Sequence, residues 1–461
     1  MDLFSAFLAF LLTALLYKYI FRRRDPTSPP CIKGWIPWLG AAFEFGKSPL
    51  EFIKLAVAKY GPIFTVLAAG NRLTFVTDAE DLDLFFNSKD VDFQQAVQEP
   101  VQHVASISRE SFYKSHTAIH DTIKGRLAPS NLHLFSDNLF QEFSEHIQCL
   151  GKSGTEDLYD LVRQVMYPSV VNNLFGKGTC PTSKSEFKEF EKHFQKFDED
   201  FEYGSQLPEI FLRDWSRSKH WLLSLFKGIV KNAEKGKSTD NDSKTLLQHL
   251  LDTLNGNATA NYSLLLLWAS QANAIPITFW TLAFIISHPS VYKAIMEEIS
   301  SVLDEKDNIL TVTQLQKLPQ TKWCILEAIR LRAPGAITRK VVHPLKIKNY
   351  IVPPGDLLMM SPFWAHRSTK YFPDPEKFLP ERWQKADLEK NVFLDGFVAF
   401  GGGRYQCPGR WFALLEIHMF VALILSKYSF SLLDPVPKQS TLHLVGTQQP
   451  NGPCRVQYRR R

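Results

Sequence analysis

The chain has 461 residues, 45% of them hydrophobic, and a formal net charge of +6. That length could hold two or three domains, but no Gly/Ser linker, low-complexity tract or internal repeat divides it, so one large-cored domain behind a short N-terminal appendage is expected. The charge is modest and no basic run interleaves with aromatics, which argues against nucleic-acid binding and suits work beside anionic lipid or an acidic partner.

Leu3 to Phe21 is apolar apart from Ser5, Thr13 and Lys18. A helix of that length spans about 28 Å, close to the roughly 30 Å of a bilayer core. Asp2 precedes it and Arg22, Arg23 and Arg24 follow. A cleaved signal peptide would carry its positive charge before the apolar run and small residues after it. Residues 1–21 therefore read as a transmembrane anchor, with the bulk of the chain in the cytosol. Residues 22–33, with Pro26, Pro29 and Pro30, read as a basic, proline-rich stem. Residues 34–461 read as the one large folded domain.

Ser48-Pro49-Leu50-Glu51 is a helix start, with Ser48 as N-cap, Pro49 at N1 and Glu51 at N3. Gly61-Pro62 ends that helix. Ile63–Leu67 and Leu73–Thr77 flank a turn and predict a β-hairpin. Helical spacing dominates from about 130 to 333, although Lys231–Asn257 is polar and reads as exposed loops or short helices. Asn257-Ala258-Thr259 and Asn261-Tyr262-Ser263 match glycosylation sequons that a cytosolic domain would leave unused. Tyr262–Ser287 is the longest apolar run after the anchor, about 39 Å as a helix. Pro276 should bend it, and His288-Pro289 ends it. A helix from about Gln320 to Arg332 and another over Trp411–Leu425 follow. The Pro- and Gly-punctuated last 35 residues suit a terminal hairpin.

The six cysteines form no C-x-x-C pair, which argues against a zinc site or a disulfide framework. One of them, Cys407, sits in Phe400-Gly-Gly-Gly-Arg-Tyr-Gln-Cys-Pro-Gly409 just before an apolar helix. Free backbone N–H groups and the positive end of the helix dipole favour thiolate there. A lone thiolate in a glycine-rich turn suits an axial ligand to haem iron, and the glycines allow close approach to a flat macrocycle.

The peptide resembles the haem-binding loop of the cytochrome P-450 superfamily, F-x-x-G-x-R-x-C-x-G, at Phe400, Gly403, Cys407 and Gly409. Tyr405 replaces the usual arginine, and Arg404, one place early, is the candidate substitute. Glu327 and Arg330 form an E-x-x-R pair that shares a helix face. With Arg382 in Phe378-Leu-Pro-Glu-Arg-Trp383 it resembles the family's structural Glu–Arg–Arg triad. Counting back from His288-Pro289, Ala272 and Asn273 fall where the family usually has an acid followed by threonine. The carboxylate is missing, and the Asn273 amide, which can still donate a hydrogen bond, stands in for the hydroxyl. The family's W-x-x-x-R falls on His120 and Lys124, and Arg339 matches a frequent propionate arginine. These three and Arg404 are the candidate cationic or donor partners of the haem.

The string from Trp268 to Trp280 is similar to the sterol 7α-hydroxylase branch. The stem from Cys31 to Gly40, the segment Phe201–Pro208 and His443–Gly446 are more closely similar to the oxysterol 7α-hydroxylases. The resemblance implies a mainly α fold with small β-sheets, preceded by one transmembrane helix. It implies a haem b cofactor with Cys407 as the axial iron ligand and Asn273 on the oxygen side. Electrons would come from NADPH through the membrane-bound P-450 reductase, with O2 as co-substrate. The implied reaction is 7α-hydroxylation of an oxysterol such as 24-hydroxycholesterol, at the endoplasmic reticulum membrane, feeding bile-acid synthesis. Two other readings stay open: a reductase-independent isomerase of a lipid peroxide, which a distal Asn without an acid also fits, and a non-catalytic haem-binding sterol sensor or carrier. Dependence on reductase separates the first, and NADPH consumption the second.

Overall fold

The computed structural model describes residues 26–461 except 37, 184, 235–241, 257, 304–309 and 443. The expected anchor, the arginines behind it and Asn257 of the first sequon lie outside the described residues. The chain forms two compact units, one from Met1–Ala96 with Ala336–Trp364 and one from Val97–Gly335 with Ala365–Arg461.

The first unit is built on a six-stranded sheet. Its strands are β1 (Cys31–Ile32), β2 (Ile63–Ala68), β3 (Asn71–Val76), β4 (Val91–Asp92), β5 (Ile337–Val341) and β6 (Leu357–Met360), in the order β1-β2-β3-β6-β5-β4. The predicted hairpin is β2–β3, and it is longer than expected. Pairing runs to Ala68↔Asn71, leaving a two-residue turn in which Ala69 and Gly70 both have positive φ, the geometry that matches strand twist. The buried Thr74 hydroxyl donates to Asp356, which also takes the Arg72 Nε at 2.6 Å. The helix start at Ser48-Pro49 is realised with Pro49 at N1, but the Ser48 side chain makes no cap. Glu51 pairs instead with Lys54 at 2.8 Å.

The second unit is mainly helical. Its longer helices are α1 (Arg109–Arg126), α2 (His133–Gln148), α3 (Leu158–Phe175), α4 (Phe187–Glu199), α5 (Arg213–Ala233), α6 (Leu246–Leu254), α7 (Thr259–Gln271), α8 (Ala274–Ser287), α9 (Pro289–Val302), α10 (Pro319–Arg332) and α11 (Arg410–Lys427). α8 and α11 are apolar nearly all round because they form the centre of the core. Every residue from Ala274 to Ile285 is buried, as is Leu414–Leu425. α8 packs on α3, α10 and α11. The spans Thr259–Ser287 and Gly403–Lys427, which contain these helices, are apolar enough to cross a membrane, but buried side chains make up most of each.

Three details depart from the sequence reading. Tyr262–Ser287 is not one bent helix: α7 ends at Gln271 and α8 begins at Ala274. Pro276 is the third residue of α8, so it has no N–H for the Ala272 carbonyl and its ring crowds that carbonyl. The polar stretch after Lys231 contains α6, whose Leu246, Leu247, Leu250, Leu251 and Leu254 are core, behind a Thr245/Gln248 capping box. The terminal hairpin, Tyr428–Leu432 with Arg455–Arg460, gains a third strand in Ser153–Asp157. The second sequon lies within α7, where Asn261 Nδ2 donates to the Ala105 carbonyl at 2.7 Å and Ser263 is buried.

Candidate active site

The Cys407 loop is held by short local bonds. The Cys407 N–H donates to Phe400 O at 2.9 Å, and Arg410 Nη1 donates to Cys407 O at 2.8 Å. Gly401 and Gly403 both have positive φ, 67° and 65°, which a side chain would strain. α11 starts one residue earlier than predicted, with Gly409 as N-cap. The groups expected to favour thiolate are in place, though not the expected net preference: the backbone N–H groups of Gly409 and Arg410 and the Arg410 guanidinium all pull the Cys407 pKa down. Desolvation by the packed loop is larger and pushes it up on balance. Ligation to a metal ion would reverse that, because a coordinating thiol loses its proton outright. Cys407 as a whole residue is nonetheless exposed.

The ring of Phe400 joins a cluster with Phe393, tilted against it, and Phe397, edge-on to it. Arg404 is exposed, its guanidinium 5.8 Å from the Tyr405 ring. His120 on α1 reaches the same loop, with Nε2 3.3 Å from Gln406 O and its ring edge-on to Tyr405. A carbonyl only accepts, so Nε2 carries the proton. Lys124, one turn further on the same face, is exposed. Arg339 lies in the sheet unit on β5, where Nε donates to Phe85 O at 2.9 Å and Nη1 to Thr338 O, and its guanidinium covers the Phe93 ring.

Glu327, Arg330 and Arg382 are brought together. Glu327 is fully buried, and its carboxylate accepts from Arg330 Nε and Nη2, Arg382 Nε, the Leu379 N–H and Trp383 Nε1, all within 3.1 Å. Arg330 uses every donor it has: two on Glu327 and three on the carbonyls of His366, Pro375 and Lys377. The fork geometry of guanidinium suits such a node, and a lysine could not replace it. Two participants were not anticipated. Trp383 follows Arg382 directly, so the string itself contained the signal. His366 has no such signal: its Nε2 accepts from the Val398 N–H at 3.2 Å and its ring stacks on Phe397. Burial pushes its pKa down to about 3, so the ring is neutral and braces the run into Phe400.

Asn273 sits in the break between α7 and α8. It is exposed although the residues on either side are buried. Its Oδ1 accepts from the Thr447 N–H at 2.9 Å and from Thr447 Oγ1 at 3.2 Å.

The cytochrome P450 family model matches residues 29–456, nearly the whole described chain. The chain belongs to the cytochrome P450 family. It is 54% identical to the human protein named 24-hydroxycholesterol 7-alpha-hydroxylase, over all of both chains. It is 51% identical to the mouse protein of the same name, over all of this chain and 99% of that one. A human 7-alpha-hydroxycholest-4-en-3-one 12-alpha-hydroxylase is 26% identical over 95% of this chain and 94% of its own.

The cofactor of a P450 is a haem with a thiolate-ligated iron, and the loop suits one. Cys407 is an exposed residue, three positive charges or donors (Arg410 and two backbone N–H groups) face its sulfur, and apart from the chain neighbours no protein atom stands within 4 Å of where a Gly401 Cβ would lie. Donors to the sulfur and an open face are what a thiolate ligand to a haem needs.

Proposed function

We propose that this P450 hydroxylates an oxysterol at the 7α position, with 24-hydroxycholesterol as its substrate, at the endoplasmic reticulum membrane. The balance is one O2, one NADPH and one proton per sterol, giving the alcohol, water and NADP+. The P-450 reductase supplies the electrons, and the product enters sterol breakdown toward bile acids. The full-length identity of 54% to a human enzyme of that name carries the substrate assignment. The Cys407 loop carries the chemistry.

When bound, the haem supplies O–O cleavage driven by its thiolate ligand. Cys407 is the residue proposed to hold the iron. Phe400, Gly401 and Gly403 shape the loop, and His120 keeps the loop in place through the Gln406 carbonyl. Lys124, and Arg404 beside Tyr405, are the exposed cations proposed to balance propionate charge. Glu327, Arg330 and Arg382 lock α10 to the segment that leads into the loop. Asn273 is proposed as the hydrogen-bond donor on the oxygen side, in place of the family's acid and threonine. The apolar segment Leu3–Phe21 is proposed to anchor the chain.

The test is reconstitution of the full chain with P-450 reductase, NADPH and a panel of side-chain oxysterols. A substrate-induced change in the haem spectrum and an NADPH-dependent 7α-alcohol from 24-hydroxycholesterol are expected. Turnover of a lipid hydroperoxide without reductase, with no sterol product, would replace this reading by the isomerase one.

A further inference from the structure

Residues 444–449 of the C-terminal loop are bonded almost one by one. The Leu444 and Val445 N–H groups each donate to Glu202 Oε1 at 2.8 Å. The Gln448 N–H donates to Arg332 O at 2.9 Å, and Gln448 O accepts from Trp280 Nε1 at 2.8 Å. The Gln449 side chain is tied to Asp198 and to the Tyr159 hydroxyl. The loop is thus fixed to α10 through Arg332, to α8 through Trp280, to α4 through Asp198, to the turn beyond α4 through Glu202, and to α3 through Tyr159. The residue in the middle of this clasp is Thr447, and its partner is Asn273.

We propose that Thr447 is a positioning residue that sets which end of the Asn273 amide is offered as a donor. This rests on the reading of Asn273 as the oxygen-side hydrogen-bond donor. A backbone N–H can only donate, so the group facing Thr447 has to be Oδ1. Nδ2 then points away from the loop, and among the described residues it has no hydrogen-bond partner. The exposure of Asn273 is consistent with an amide end left for something other than protein. Without the clasp the amide could turn and present its oxygen, which cannot donate. The peptide N–H selects Oδ1, and the Thr447 hydroxyl, as the second donor to the same atom, holds the amide in that seat. Gly446 completes the device. A Cβ there would stand 3.1 Å from Asn273 Oδ1, tight enough that the amide would have to give by a few tenths of an ångström and lengthen its bonds to Thr447.

The experiment uses the full, haem-loaded chain, reduced and exposed to carbon monoxide, and reads the C–O stretch by infrared absorption. A donor near the ligand's oxygen lowers that frequency, so losing the donor raises it. Asn273→Leu is the reference for complete loss. Thr447→Val removes the hydroxyl at constant shape and keeps the N–H. Gly446→Ala displaces Oδ1, and Thr447→Ser restores the hydroxyl. The expected result is an upward shift in Thr447→Val and Gly446→Ala that is part of the Asn273→Leu shift, with Thr447→Ser at the wild-type value. A shift in Asn273→Leu with none in Thr447→Val or Gly446→Ala overturns the positioning role and leaves Asn273 as donor. No shift even in Asn273→Leu overturns the donor reading and the proposal with it. Should Gly446→Ala load no haem, the Thr447→Val and Thr447→Ser pair still decides.

Discussion

Replacing Glu327 with alanine removes the centre of a buried charge network. The carboxylate accepts five hydrogen bonds from four residues. Two guanidinium groups lose their counter-ion, one of them, Arg330, 1% exposed. Arg330 keeps its three carbonyl acceptors, so its N–H groups are not all orphaned; the uncompensated charge is the main cost. Breaking a buried pair by removing one partner costs roughly 3–5 kcal/mol, a large part of the stability of a typical domain. The Leu379 N–H and Trp383 indole lose an acceptor as well, and both lie in the segment that leads toward the Cys407 loop. The expected outcome of Glu327→Ala is therefore little haem-loaded protein, not loaded protein that turns over slowly. Haem content per purified polypeptide and the urea midpoint of the holoprotein measure it. Arg382→Ala should be milder, because that side chain makes one bond to Glu327 and is 10% exposed. If Glu327→Ala gives normal holoprotein destabilised by less than about 1 kcal/mol, the figure for an exposed ion pair, the network argument is wrong.

Cys407→Ala should abolish the red-shifted carbon monoxide band of a thiolate-ligated haem, while Cys149→Ala, at an exposed cysteine, keeps it; survival of the band in Cys407→Ala would reassign the ligand. Burial pushes the carboxyls of Asp198 and Glu202 up to about 7, above their unfolded values near 4. A raised carboxyl pKa contributes stability below about pH 4 that is lost as pH rises toward 7. Glu202→Gln keeps an acceptor for Leu444 and Val445 but cannot ionise, so it should gain on wild type by an amount on the order of 1–3 kcal/mol between those limits. A stability difference between the two proteins that stays constant from about pH 4 to 8 would contradict this. A chain shortened to begin at Pro26 keeps the Thr27 carbonyl, which accepts from the Ile351 N–H at 2.7 Å. It should load haem and turn over with reductase in detergent, and failure to fold would show that the apolar segment does more than anchor.

Features made by neighbours in sequence were legible. The Cys407 loop, the Glu327–Arg330 pair and the α10 and α11 helices follow from spacing, capping and glycine placement within a dozen residues. What the sequence left open is wherever one local pattern meets a partner chosen from far away. Ser153–Asp157 is polar and has no strand signal; it is a strand because the edge of Arg455–Arg460 needs its N–H and C=O groups paired. α6 looked polar because its five leucines are diluted by the loop before it, and only packing against α1 and α3 shows them as core. His120 read as a propionate donor from its place in a motif, yet its nearest acceptor is the carbonyl of Gln406, 286 residues on. The orientation of Asn273 was invisible for the same reason. An amide's two ends are alike in a sequence, and a peptide N–H 174 residues later decides between them. The chain's local chemistry determined which groups were available, and tertiary folding, by bringing obligate donors to obligate acceptors, determined which way they face.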